Sequence, residues 1–169
     1  PLQSFLHLAY RSRAELENGV LFDLQRTAMF AELTPISGLK LNMGFRMGDQ
    51  IDYDNTRPAD QKVFEPGVDW NVNRHLLIRM KSIFASLDTK GGEKIFDATI
   101  VDLRLTWQFN VRSFLRMTLQ QSETSKNPDV YLDPVDAETQ DLGRQLLYSY
   151  KINPQTVFFL GYSDNYHNR

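Results

Sequence analysis

The sequence predicts an all-β fold: an antiparallel up-and-down transmembrane β-barrel, with about nine strands present as part of a larger barrel. Three observations predict it. Apolar and polar residues alternate with a period of two through most of the chain, the mark of a strand with one apolar face. The alternating runs are about 9–14 residues long, against roughly 5–6 for globular strands and about 9–11 for tilted membrane strands. Tight turns alternate with longer polar connections, as in barrels with short turns on one side of the membrane and loops on the other.

Ser4 to Glu15 sets Leu6, Leu8 and Tyr10 against His7, Arg11 and Arg13. Asn18-Gly19 follows, a tight-hairpin pair. Val20 to Leu33 is less regular; Phe22, Leu24, Ala28 and Phe30 share a face with Arg26. Residues 34–38 form a turn, and Leu39 to Tyr53 is the cleanest strand. Its Leu39, Leu41, Met43, Phe45 and Met47 oppose Lys40, Asn42, Gly44, Arg46 and Gly48. The two glycines on the polar face leave room for a close neighbour. A polar loop spans Asp54 to Asp60, and Gln61 to Val72 carries Phe64, Val68, Trp70 and Val72 on one face. Pro66 there calls for a bulge or an unpaired position. After a turn at Asn71 to Arg74, His75 to Leu87 sets Leu76, Ile78, Met80 and Phe84 against Arg79 and Lys81. Asp88 to Glu93 is a loop with Gly91-Gly92 at its tip.

The hairpin Ile100 to Gln121 has the strongest amphipathic pattern. Val101, Leu103, Leu105, Trp107 and Phe109 oppose Asp102, Arg104, Thr106 and Gln108; the return arm sets Leu115, Met117 and Leu119 against Arg116, Thr118 and Gln120. Ser122 to Thr139 reads as a long, solvated acidic loop without the spacing of a calcium loop. Gln140 to Ile152, a turn at Asn153 to Gln155, a last strand Thr156 to Ser163 and a polar tail complete the chain.

Composition removes several classes. A formal net charge of −2 leaves no basic excess to neutralise phosphates, which argues against nucleic acid as a partner. Mean hydropathy is −0.42, and no apolar run of about 18 residues provides a membrane helix. There is no cysteine, hence no disulfide framework or thiolate site. His7, His75 and His167 lack metal-binding spacing, no Gly-x-Ser-x-Gly elbow occurs, and nothing in the sequence calls for a catalytic residue, metal or cofactor.

Two residue sets follow from the faces. Trp70, Trp107, Phe109, Tyr148 and Tyr150 stand just before short turns on the apolar face, where a membrane–water interface favours aromatics. Arg46, Arg79, Lys81, Asp102, Arg104 and Arg116, with Arg11, Arg13 and Lys40, face the interior. They either line an aqueous lumen with mild anion preference or satisfy one another in a plugged one.

From about Gly48 onward the chain resembles a family. The segments are Trp107-Gln108-Phe109-Asn110-Val111-Arg112-Ser113-Phe114-Leu115-Arg116, the run from Leu147 to Asp164 containing Ile152-Asn153-Pro154-Gln155, and Asp133-Pro134-Val135-Asp136. They are similar to the C-terminal β-barrel domain of bacterial outer-membrane proteins of unknown function that carry an N-terminal domain like the family-9 carbohydrate-binding modules. The resemblance implies a Gram-negative outer-membrane location, with lipid, lipopolysaccharide and other outer-membrane proteins as partners, and carbohydrate bound through the domain absent here. It supplies no catalytic residues. Residues 1–169 then read as one barrel segment, a C-terminal piece without its last strand. A channel, transport element or surface scaffold is the leading expectation. The alternatives are a soluble all-β ligand-binding module, its apolar faces packed as a sandwich or calyx, and an outer-membrane hydrolase.

Overall fold

Local sequence sets each reversal of the chain. In the computed structural model, which describes residues 2–168, Asn18 and Gly19 both take positive φ (47° and 81°). That is the geometry a two-residue hairpin needs to match strand twist. At the other end of the strands asparagines do the work. Asn73 Oδ1 accepts from the amides of His75 (2.7 Å) and Leu76 (2.9 Å), Asn110 Oδ1 from Arg112 (2.8 Å), and Asn153 Oδ1 from Gln155 (3.0 Å). Each side chain imitates a backbone turn bond.

Between these reversals run β1 (Gln3–Glu17), β2 (Val20–Ile36), β3 (Leu39–Asp52), β4 (Arg57–Asn71), β5 (Leu76–Thr89), β6 (Lys94–Asn110), β7 (Ser113–Lys126), β8 (Glu138–Asn153) and β9 (Thr156–Asn168). They form one antiparallel up-and-down sheet in chain order, open between β1 and β9. The only helical element among the described residues is a 3-10 turn, Pro128–Val130.

The strands are 13 to 17 residues long, longer than the alternation predicts, because pairing continues past the point where the pattern fades. Thus β7 reaches Lys126 and β8 starts at Glu138, shrinking the acidic loop to residues 127–137. The expected tail beyond Ser163 is paired as well: Asp164, Tyr166 and Asn168 lie opposite Arg144, Leu142 and Gln140. Arg169 lies outside the described residues. Pro66 causes no slip. Phe64 pairs with Phe84 and Gly67 with Lys81 in one register, and pairing to β5 is merely interrupted between them.

Within each uninterrupted stretch of pairing, register assigns residues to a face, since Cα partners share one. The apolar face carries rows such as Leu39, Trp70, Ile78, Leu105, Met117, Leu146 and Tyr162. The polar face carries rows such as Lys40, Asp69, Arg79, Arg104, Thr118, Gln145 and Ser163.

The core is small and sits at the long-loop end. Phe22, Leu24 and Ile51 form one buried cluster; Ala59, Leu87 and Ile95 form another, packed by Phe96, Val130 and Tyr131. This explains the irregular pattern of β2. Phe22 and Leu24 pair with Glu15 and Arg13, so their side chains lie on the polar face, where they are buried.

Candidate functional site

Two surfaces invite attention, and the apolar one has no cover. Among the described residues no second sheet lies against it, and each strand packs on its chain neighbours. Among the described residues, thirty-one large apolar or aromatic side chains are exposed over both faces and the turns, against seven buried hydrophobics. Phe84 is 43% exposed and Trp107 44%, in mid-sheet strands. No helix among the described residues is long and apolar enough to cross a membrane, which says nothing about strands.

The edge of the apolar band is oblique to the pairing rows. Counted from the Leu39–Tyr162 row, the band on β3 runs eight residues, to Met47, before Asp49 breaks it. On β5 it runs six, to Phe84, and on β6 four, from Leu105 to Val101. On β8 and β9 it stops at Leu146 and Tyr162, because the next residues on that face are Arg144 and Asp164, opposite each other; Leu142 and Tyr166 form one apolar pair beyond them. A fall of eight residues is about 27 Å, over six strand spacings of about 29 Å in all, a slope of about 43°. The short-turn edge drifts in the same sense, from Leu39 to Tyr150 and Phe158, four residues past the row, or about 25°.

The five aromatics fall together at the short-turn end. Trp70 is in the reference row; Trp107 and Tyr148, both opposite Leu115, are in the next; Tyr150 is one further. Phe109 meets Tyr148 edge-on at 6.4 Å between ring centroids, and His75 stacks on Trp107 at 5.9 Å. They make a belt about three rows, or roughly 14 Å, deep.

The polar face gathers the expected charges into two groups. Arg79, Lys81, Asp102 and Arg104 line one depression of about 560 Å³ with Asp69. Arg79 bonds Asp69 at 2.9 Å, yet lies directly opposite Arg104. The Nε atoms of Arg104 and Arg116 are buried without a hydrogen-bond partner, and the Arg116 guanidinium stands 5.1 Å over the Phe114 ring. Lys81 lies opposite Asp102, but the two form no ion pair within 4.0 Å. Arg46 is elsewhere: it bonds Glu65 at 2.8 Å and lines a second depression, of about 260 Å³, with Arg11, Arg13 and Arg26. Mutual satisfaction is therefore partial. The sequence places Arg11, Arg13 and Arg46 on one interior face but leaves Arg26 out, because it shares a face with the apolar residues of an irregular strand; only register sets it opposite Arg11.

The loop end closes over its small core. Asp52, 3% exposed, accepts from Arg57 Nε at 2.8 Å and Asn55 Nδ2 at 2.7 Å. Arg57 also donates to the Val130 carbonyl at 2.7 Å, and Asn55 Oδ1 accepts the Leu132 amide at 3.1 Å. The loop expected to be solvated is thus docked by Val130 and Tyr131. Burial, then the charges of Asp54 and Asp52, raise the Tyr131 phenol above its ordinary value, against the pull of Arg57. On the next loop Lys90 bridges Asp49 (2.5 Å) and Asp60 (2.6 Å). Desolvation lowers its ammonium, but those two carboxylates outweigh it and the net shift is upward. No cluster of three or more His, Cys, Asp or Glu suited to a metal occurs among the described residues.

Compared with family models, curated proteins and solved structures, the chain finds no match, so its function is argued from its own residues.

Proposed function

We propose that this chain is a segment of a bacterial outer-membrane β-barrel, its apolar face against lipid and its polar face lining the interior, in a channel, transport element or surface scaffold. The observation that carries the reading is the uncovered apolar band oblique to the strands. Strands of membrane barrels tilt by about 35–45° from the membrane normal. A lipid slab cuts such a sheet diagonally across its pairing rows, so the apolar band must drift from strand to strand. The loop-side edge drifts at about 43°, inside that range; the turn-side edge, at about 25°, drifts in the same sense. A covering sheet in a soluble sandwich lies within about 30° of the strands, which would accommodate the turn-side edge but not the steeper loop-side one. The belt of Trp70, Trp107, Phe109, Tyr148 and Tyr150 at one edge of the band fits an interface. The family resemblance points the same way, and carbohydrate would be met through the domain that family carries.

The test uses the two tryptophans, Trp70 and Trp107. The protein is folded into vesicles whose acyl chains carry bromine at shallow or deep positions. Both tryptophans are expected to be quenched, more by shallow bromines. Full β-sheet circular dichroism in detergent-free buffer, with emission indifferent to brominated lipid, overturns the reading.

A further inference from the structure

We propose that the depression formed by Arg11, Arg13, Arg26 and Arg46 binds a multiply charged, soluble oxyanion of the phosphate class. The strands bring the four together from positions far apart in sequence. β1 supplies Arg11 and Arg13 on alternate positions of the polar face, β2 sets Arg26 directly opposite Arg11, and Arg46 on β3 is one row away, opposite Ala28. Like charges placed directly opposite each other weaken a sheet, so the arrangement needs a counter-charge. The lining supplies none. Beside the arginines it holds Ala9, Ala28 and Gly48, but no carboxylate. These small residues leave the space of about 260 Å³ that the guanidiniums border.

The partners of the arginines hold them without closing the site. Arg26 gives its Nε to the Asp49 carbonyl at 2.7 Å and a terminal nitrogen to the Gln50 amide oxygen. Both acceptors are neutral and fix the guanidinium; the Asp49 carboxylate also feels its charge, but it is already bonded by Lys90 and the Gln25 amide and does not line the depression. Arg13 pairs with Glu15 at 2.6 Å and Arg46 with Glu65 at 2.8 Å; neither acid lines the depression. A guanidinium has five donors in a fork that matches phosphate oxygens, so each of these retains free N–H groups. Arg11 makes no ion pair among the described residues. Several convergent guanidiniums favour a multiply charged anion over a monocarboxylate. The site lies on the polar face and does not depend on what covers the apolar one.

The experiment titrates the full chain, folded in nonionic detergent, with inorganic pyrophosphate by calorimetry at constant ionic strength. One saturable site is expected. Arg11→Gln and Arg26→Gln should each weaken binding about tenfold or more, and Arg116→Gln, on the distant group, should leave it unchanged. Should Arg26→Gln misfold through loss of its bonds to β3, Arg11→Gln still decides the matter, because its side chain makes no hydrogen bond or ion pair among the described residues. Absence of saturable heat, wild-type binding by Arg11→Gln, or equal competition by acetate overturns the proposal. Arg11-dependent capture of phosphatidic acid from mixed micelles, with no pyrophosphate binding, overturns the assignment to a soluble anion. Lipid quenching of the tryptophans is unaffected by any of these results, so the two readings fail separately.

Discussion

Replacing Arg57 by alanine should release the 127–137 loop while leaving the sheet paired. Arg57 holds two partners: the buried Asp52 carboxylate at 2.8 Å and the Val130 carbonyl at 2.7 Å. A hydrogen bond to a charged group is worth about 1.5–3 kcal/mol. The Arg57 side chain is 33% exposed, so solvent screening reduces the ion pair to about 1–2 kcal/mol. The carbonyl bond adds about 1 kcal/mol. Asn55 still bonds Asp52 in the variant and limits the penalty of the abandoned carboxylate. Only the carbonyl bond, about 1 kcal/mol, acts on loop opening, because Val130 belongs to the loop, whereas Arg57 and Asp52 both lie in the sheet and keep their pair when the loop opens. The open population then rises about fivefold. Hydrogen exchange with mass spectrometry reads this directly in peptides covering Lys126 to Leu132. The amides of Lys126 and Asn127 donate to Ala137 and Ile95, and that of Leu132 to Asn55. They should exchange faster by that factor, while peptides from β5 and β6 beyond Ile95 keep their protection. Unchanged loop protection would mean that Val130 and Tyr131 hold the loop by apolar packing alone; a uniform loss across the sheet would mean that the loop is not a separate unit.

Other perturbations probe other parts of the molecule. Gly48→Ala should cost about 1–3 kcal/mol in the urea midpoint, because φ is +136° and a Cβ would lie 2.2 Å from the Gln25 carbonyl oxygen; Gly92→Ala meets nothing within 4 Å and leaves only its φ of +86° to accommodate. Arg104→Gln removes one half of a like-charge pair and should keep or raise stability by up to about 1 kcal/mol, read by the same denaturation. Tyr131 gives a pH dependence. Its folded pKa is raised above the ordinary phenol value of 10.0, so its contribution is complete below the unfolded pKa and fades as pH climbs through the folded one. Exchange of the 127–137 peptide, corrected for its intrinsic pH dependence, should therefore accelerate above pH 10.0 in the wild type and not in Tyr131→Phe.

Alternation is local, and whatever depends on it was legible. Val101 to Phe109 and Leu39 to Met47 declare their faces within one strand, and Asn18-Gly19 declares its turn through backbone chemistry. Pro66 was legible as a gap in pairing because a proline cannot donate. What depends on register was not legible. The opposition of Arg11 to Arg26 is set by fifteen consecutive pairings from Gln3–Thr34 to Glu17–Val20, and no window around either residue contains it. The polar-face position of Phe22 and Leu24 misled for a different reason. They serve a small core beneath the loops, so an apolar residue there says nothing about the face that Leu41 and Phe45 share. The docked loop misled as well, since five acids in Ser122 to Thr139 read as solvation. Its anchors are Val130 and Tyr131, and they dock on the cluster of Ala59, Leu87 and Ile95 from other strands.

The two small clusters also bear on how the sheet persists. Seven buried hydrophobics among the described residues are too few to offset the ordering of a chain this long, at about 1–2 kcal/mol per residue for the backbone alone. Some of the difference must come from the ladder, whose hydrogen bonds are worth little in water, where the unfolded chain bonds solvent instead. In hydrocarbon that competitor is absent, and an unsatisfied backbone group costs several kcal/mol. On the proposed reading, then, lipid does more than cover Phe45, Phe64 and Phe84; it converts each pairing in the β3–β4–β5 register into a constraint. Charge placement fits this division. The apolar face from Leu76 to Phe84 carries no ionisable side chain on β5, whereas Arg79 and Lys81 lie between those positions on the other face. Met80→Arg, midway along the apolar face of β5, and Leu77→Arg separate the two environments on one strand. The first should cost about 2–4 kcal/mol in lipid vesicles, the range for a cation facing mid-bilayer lipid, and the second much less, because Leu77 shares the polar face with Thr106. Equal costs at the two positions would sink the assignment of faces, and with it the lipid-facing half of the proposal.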